Sequence, residues 1–155
     1  MATEIERKFL VEGDAWREDI ESEAQMVQGY LTGNQAVTLR VRVKGDAAFL
    51  TVKGQPTGIS RSEFEYPIPV TDAEAMLKEL AVSPPIEKTR YRVRCGAHLW
   101  EVDVFAGANA GLVMAEVELD SEDEAFERPD WAGREVTGDR RYYNASLAQH
   151  PFSTW

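Results

Sequence analysis

Residues 87–105 read EKTRYRVRCGAHLWEVDVF. In the first half, Lys88, Arg90, Arg92 and Arg94 alternate with Thr89, Tyr91 and Val93. In the second, Glu101 and Asp103 alternate with Trp100, Val102 and Val104. Side chains two apart share one face of a β-strand, whereas a helix would spread them around its circumference. The residues between the charges are largely β-branched or aromatic, which suits a pleated strand. Gly96 marks a turn between the halves. The stretch predicts two strands, one with a basic face and one with an acidic face.

The same pattern recurs on both sides. Glu4, Glu6 and Lys8 alternate with Ile5, Arg7 and Phe9, and Arg40, Arg42 and Lys44 with Leu39, Val41 and Val43. Glu63 and Glu65 alternate with Phe64 and Tyr66, and Glu116 and Glu118 with Val117 and Leu119. Residues 49–53 are rich in β-formers and end on Lys53. Turn signals at Thr32-Gly33-Asn34, Lys44-Gly45-Asp46, 54–58, Pro84-Pro85 and 107–111 separate the runs. Together they predict a mostly antiparallel β protein with short connections.

Helices are few. Thr71 to Glu74 reads as a capping box followed by Met76, Leu77 and Leu80 at helical spacing. Ser121 to Glu124 reads as a second box, opening a short helix through Phe126. Weaker helical patterns run over 14–24 and over 140–149, the latter with Tyr143, Leu147 and Ala148 on one side. There is no repeat, low-complexity tract or long linker, so residues 1–155 are expected to form one domain.

The net charge of −10 makes a nucleic-acid face a poor first expectation, because duplex binding neutralises phosphates with Lys and Arg. Cys95 is the only cysteine, and His98 and His150 the only histidines. That excludes an intrachain disulfide and argues against a Cys- or His-based metal site. Nothing approaches the ~20 apolar residues of a membrane span. Charges occupy the N-terminal stretch where a signal peptide has its apolar run. A cytoplasmic protein with no membrane association is expected.

For any single strand, a charged face turned to water is the simpler reading. Two features argue otherwise. The charges are sorted by sign: Glu4/Glu6, Glu63/Glu65, Glu101/Asp103 and Glu116/Glu118 are acidic pairs, whereas Arg40/Arg42 and Lys88/Arg90/Arg92 are basic runs. A solvated face usually mixes signs, since like charges repel. About eight carboxylates and about eight cations also share one strand parity. In a closed barrel that parity points into the lumen. Such an interior is costly to desolvate unless water, ions or a ligand fill it. Crowded carboxylates favour a divalent cation, and crowded cations favour a polyanion. A metal-bound polyphosphate satisfies both.

EIERKFLV at 4–11 resembles the ExExK signature of the CYTH proteins, also called triphosphate tunnel metalloenzymes. LRVRVK at 39–44, TVKG at 51–54, SRSEFEYPI at 60–68, EKTRYRV at 87–93, WEVDVF at 100–105 and AEVELDSEDEA at 115–125 resemble its later elements in order. EVTGDRRYYN at 135–144 is similar to its C-terminal element. The resemblance implies a closed antiparallel eight-stranded β-barrel with a charged lumen and a few peripheral helices. Within the family it is strongest to the small bacterial members, several of which are inorganic triphosphatases.

On that resemblance Glu4, Glu6, Glu116 and Glu118 are the main metal carboxylates, and Glu63, Glu65 and Asp103 candidates for a second metal or its waters. Lys8, Arg40, Arg42, Lys53, Lys88 and Arg90 would grip phosphates; Arg92 stands nearer one end. Glu4, Glu6, Lys8, Lys88 and Glu118 form the expected catalytic set. Oxygen-only ligands suit Mg²⁺ or Mn²⁺. Tyr30 matches an aromatic position in relatives, either packing or gating the substrate. Asp139, Arg140 and Arg141 either begin a solvated helix or reach one tunnel mouth. His98 is expected at the surface, Cys95 inert, and the four tryptophans in packing roles. A homodimer through an uncovered apolar barrel face is a further expectation.

The reaction expected is hydrolysis of inorganic triphosphate. Rival readings are a thiamine or nucleoside triphosphatase, a class IV adenylate cyclase, a polyphosphate-binding module without catalysis, and a barrel of purely structural ion pairs. Triphosphate plus Mg²⁺ should raise the melting temperature of the folded protein; no rise would sink every reading that fills the lumen with a ligand.

Overall fold

The computed structural model describes residues 3–32 and 36–155. Eight antiparallel strands close on themselves. These are β1 (Thr3–Val11), β2 (Ile20–Tyr30), β3 (Thr38–Lys44), β4 (Ala47–Lys53), β5 (Ser60–Ile68), β6 (Ile86–Cys95), β7 (His98–Phe105) and β8 (Val113–Glu118). Around the barrel the order is β5-β4-β3-β2-β6-β7-β8-β1, and β1 returns to β5. That closing seam is short, with Thr3, Glu4 and Ile5 opposite Ser62, Arg61 and Ser60. Past the seam the same edge of β1 takes up β9 (Ala132–Glu135), strapped by two hydrogen bonds from Arg7 to Glu135.

The hairpins β3–β4 and β6–β7 turn in two residues, Gly45-Asp46 and Gly96-Ala97. Gly45 and Gly96 stand at φ 59° and 60°, a region that costs glycine nothing and that a two-residue hairpin requires at its first position. The turn expected at Thr32-Gly33-Asn34 falls partly outside the described residues.

Parity sorts the barrel as the sequence predicts. On β1, β6, β7 and β8 the residues between the charges (Phe9, Val93, Trp100, Val102, Ala115 and Val117) point outward into a core completed by Trp16, Leu119, Trp131 and Ala132. Helix α1 (Val70–Glu79) covers β3 and β4, its Ala73, Met76 and Leu77 packing on Val41, Val43, Ala48 and Leu50. At one end the lumen parity itself turns apolar. Leu10, Ile86, Phe105 and Met114 meet Val136, Tyr142, Leu147 and Ala148 of the C-terminal segment, which lies across that end. Among the described residues no helix is long and apolar enough to cross a membrane.

Five local expectations need correction. The helix proposed over 14–24 is a short 3₁₀ turn, Ala15–Asp19, followed by β2. IESEAQMVQGY holds good helix formers, but pairing with β6 along most of its length and with β3 at its end overrides that weak propensity. The capping box at Ser121 forms no helix: Glu124 accepts from the Asp120 amide and pairs with His98, while Phe126 is drawn against Phe9 and Trp100. His98 is therefore packed rather than at the surface. Helix α1 starts at Val70 after Pro69 with no side-chain cap, so Thr71 lies inside its first turn. The tail is a 3₁₀ turn, Arg140–Tyr142, then α2 (Asn144–Gln149), interrupted by extended Tyr143.

Trp100 has no exposed surface and touches Phe9, Phe126 and Trp131. Trp100→Ala should destabilise the fold by about 3–5 kcal/mol, read from urea unfolding midpoints.

Candidate active site

The lumen holds a cavity of about 380 Å³. Among the described residues ten cationic and seven acidic side chains line it, so a protein of net charge −10 encloses a predominantly positive space. The signs are divided between two half-barrels. β3, β4 and β6 present Arg40, Arg42, Lys44, Lys53, Lys88, Arg90 and Arg92. β7, β8, β1 and β5 present Glu101, Glu116, Glu118, Glu4, Glu6, Glu63 and Glu65. The division follows from strand order, because the acidic strands β7, β8, β1 and β5 are neighbours around the barrel and the basic strands β4, β3 and β6 flank β2 on the other side.

Glu6 stands directly opposite Glu118, and Glu101 opposite Glu116. Side chains so paired are about 5 Å apart. Burial, and then the charges of Glu116 and Glu4, push the Glu6 carboxyl well above the usual range. Burial and Glu101 raise Glu118 as well. Two lysines act as internal counterions. Lys53 Nζ lies 3.0 Å from Glu4 and 3.1 Å from Glu63, and Lys8 Nζ lies 3.8 Å from Glu116 and 3.9 Å from Glu6. Burial would raise the Glu4 pKa, but Lys53 and its hydrogen bonds outweigh it and hold the carboxyl near 2.

A divalent cation fits this wall, since it would offset the repulsion that raises Glu6. Glu4, Glu6, Glu116 and Glu118 are the carboxylates of this wall that could serve such an ion as donors. Among the described residues no three acidic, histidine or cysteine side chains converge into a ready coordination sphere. An ion held here would keep water and take phosphate oxygens as ligands, as small hard cations do.

Asp103 lies one layer behind the cavity. It is 2% exposed and does not line the space. Its carboxylate accepts from Lys88 Nζ at 2.7 Å and from Arg90 at 2.8 and 2.9 Å. Burial opposes its ionisation, yet Arg90 and Lys88 hold it far below the usual carboxylate range. Burial, with Arg90 and Arg42 nearby, pulls Lys88 down to about 7 although Asp103 resists. Burial, then Arg40 and Arg90, lower Arg42 to about 9. These cations are short of negative charge, as a polyanion site should be. Arg40 Nε is buried with no partner among the described residues.

All the other candidate residues line the cavity, as do Tyr30, Arg92 and Arg140. Asp139 and Arg141 pair with each other instead. Sequence reading missed Gln28 and Asn144, which bond to the lumen cations, and Tyr143, whose ring faces Lys8 at 5.1 Å. Uncharged amides carry no period-two charge signal, and Gln28 sits on β2, whose first residues fall within the helix expected over 14–24. Trp16, Trp100 and Trp131 are buried in the outer core, and Trp155 packs on Tyr142 and Phe152. Burial and Glu127 push the Cys95 thiol up to about 11, so it is inert.

The sequence profile of the CYTH domain matches residues 2–149. An inorganic triphosphatase of Acetivibrio thermocellus is 48% identical over 155 residues, covering 100% of this chain and 99% of its own. One from Nitrosomonas europaea is 46% identical over 151 residues, covering 94% and 97%. The crystal structure of the inorganic triphosphatase NE1496 superposes with a TM-score of 0.68 at 42% identity, over 96% of this chain and 95% of that one.

Glu6 disfavours folding when ionised. Its pKa is about 4.5 unfolded and higher in the fold, so stability present below 4.5 is lost as pH rises through the folded value. In chelator, Glu6→Gln should melt roughly 2–4 °C above the parent at neutral pH. The gap should close towards about pH 4, as thermal melts across the range will show.

Proposed function

The chain belongs to the CYTH domain family, and from that membership we infer that it is an inorganic triphosphatase, a hydrolase yielding pyrophosphate and phosphate. The observation that carries the reading is the facing of a basic wall and an acidic wall across one enclosed cavity. Triphosphate is a compact polyanion whose own charge answers the basic wall. Its oxygens can share a cation with the acidic one.

Arg40, Arg42 and Arg90 bring planar forks that take two oxygens at once, and Lys88 adds a point charge. They hold the chain of phosphates and offset the charge that gathers on the transferred and leaving groups. Stabilisation of that kind is the main contribution a protein makes to phosphoryl transfer. Asp103 orients Lys88 and Arg90 from behind, rather than serving a second metal. Glu4, Glu6, Glu116 and Glu118 hold the metal, for which Mg²⁺ or Mn²⁺ is the choice that oxygen donors favour. When bound, such an ion polarises phosphate oxygens and lowers the pKa of its water. A water attacks the terminal phosphorus in line. Its oxygen–phosphorus bond forms as the bridging bond to pyrophosphate breaks, and its proton passes to solvent.

The lining favours an inorganic substrate over a nucleotide. Tyr30 and Tyr143 are its aromatic residues among those described. Lys8 already covers Tyr143, and the Tyr30 hydroxyl takes a hydrogen bond from Gln28. With Tyr30 buried and one face of Tyr143 taken by Lys8, neither tyrosine presents a freely exposed ring for a nucleobase.

Phosphate release should be fast with inorganic triphosphate plus Mg²⁺ or Mn²⁺, slower with ATP or thiamine triphosphate, and absent in chelator. Glu4→Gln and Lys88→Ala should each lower it by roughly 100-fold while remaining folded. Preferred hydrolysis of ATP, or no release from any of the three, would refute the assignment.

A further inference from the structure

Gln28 and Asn144 form a buried polar bridge that joins the C-terminal helix to the basic wall. Gln28 has no exposed surface. Its Oε1 accepts from Arg42 Nε at 2.7 Å. Its Nε2 donates to Asn144 Oδ1 at 3.0 Å and to the Tyr30 hydroxyl at 3.1 Å. Asn144 Oδ1 also accepts from Lys88 Nζ at 2.9 Å.

The direction of this network is fixed by its ends. A guanidinium can only donate, so the Gln28 carbonyl must face Arg42 and its amino group must face Asn144. An ammonium can only donate, so Asn144 must turn its carbonyl to Lys88 as well. Neither amide can flip without setting donor against donor. A lysine ammonium has three protons. Asp103 takes one and Asn144 a second, which leaves a single N–H, in a fixed direction, for the cavity that Lys88 lines. The same bridge holds Arg42 by its Nε and leaves the two terminal nitrogens to the lumen.

We propose that Asn144 is a positioning residue of this active site: it aims the remaining N–H of Lys88 and, through Gln28, clamps Arg42. The C-terminal segment therefore completes the catalytic arrangement besides covering one end of the barrel. This rests on the triphosphatase reading. Affinity for triphosphate is spread over many cations, whereas alignment of the reacting phosphate depends on few, so the effect falls on kcat more than on KM.

The test measures kcat and KM for inorganic triphosphate with Mg²⁺, beside melting temperature, in the unsubstituted protein, Asn144→Leu, Asn144→Asp, Lys88→Met and the Asn144→Leu/Lys88→Met double variant. Asn144→Leu should lower kcat by about 10- to 100-fold, with KM moved by less than about threefold. Asn144→Asp keeps the accepting oxygen and should recover most of the loss. In the Lys88→Met background, Asn144→Leu should do clearly less harm than in the parent, because its contact with Lys88 is already gone and only the Gln28–Arg42 branch is left to lose. Full activity in Asn144→Leu, or additive losses in the double variant, would overturn the proposal. Should Asn144→Leu fail to fold, Gln28→Met serves in its place; its loss must be non-additive with Arg42→Met, and additivity again refutes the bridge. If the unsubstituted protein does not hydrolyse triphosphate, the functional reading falls and the proposal with it. A working parent and an unharmed variant remove the proposal alone.

Discussion

The structure depends on keeping about eight carboxylates and a larger number of cations inside a barrel without letting them neutralise one another completely. Opposite charges drawn out of water attract strongly, and a fully paired interior would be an inert set of salt bridges. Strand order prevents that outcome. The acidic strands are consecutive around the barrel, the basic strands β4, β3 and β6 lie on the other side with only β2 among them, and the cavity opens between the two walls. Pairing is partial: Asp103 sits behind Lys88 and Arg90, Lys8 and Lys53 stand among the acids, and looser contacts of 3.3–3.9 Å join Arg90 to Glu101 and Glu116, Arg92 to Glu101 and Arg40 to Glu65. What remains unbalanced is a raised Glu6 on one side and a lowered Lys88 and Arg42 on the other. In the proposed reaction a cation on the acidic side and a polyanion on the basic side would relieve that imbalance together.

Placing charge inside turns the usual architecture around. The barrel's outer face must be apolar and must be covered, and the short covering pieces do that. Trp16, Phe126 and Trp131 shield one flank, α1 another, and α2 with its flanking residues one end. These pieces share no regular pattern, since each has only to fit the patch beneath it.

That difference explains what the sequence made legible. Alternating charge is a two-residue signal, so β1, β3, β5, β6, β7 and β8 and nearly every lumen charge could be read directly. β2 could not, because Glu21, Glu23 and Gln25 suit a helix and only pairing with β6 makes them a strand. Ser121 to Glu124 has the letters of a capping box, but burying Phe126 and pairing His98 outweigh a single helical turn. Gln28 and Asn144 escaped notice for a related reason. They meet each other across 116 residues of chain and touch Arg42 and Lys88 from different elements, and no local pattern reports that.

The seam between β1 and β5 has a consequence for how the chain is made. β1 is synthesised first, yet its principal partner β8 and its strap β9 are among the last strands to appear. During translation the nascent chain therefore carries an unpaired strand edge, the kind of surface that recruits other chains into aggregates. Glu4, Glu6 and Lys8 stand on that strand. Charged residues that point inward in the finished barrel are a recognised defence against edge-to-edge pairing. The side chains proposed to hold the metal thus first act as solubilising guards on a strand still waiting for its neighbours.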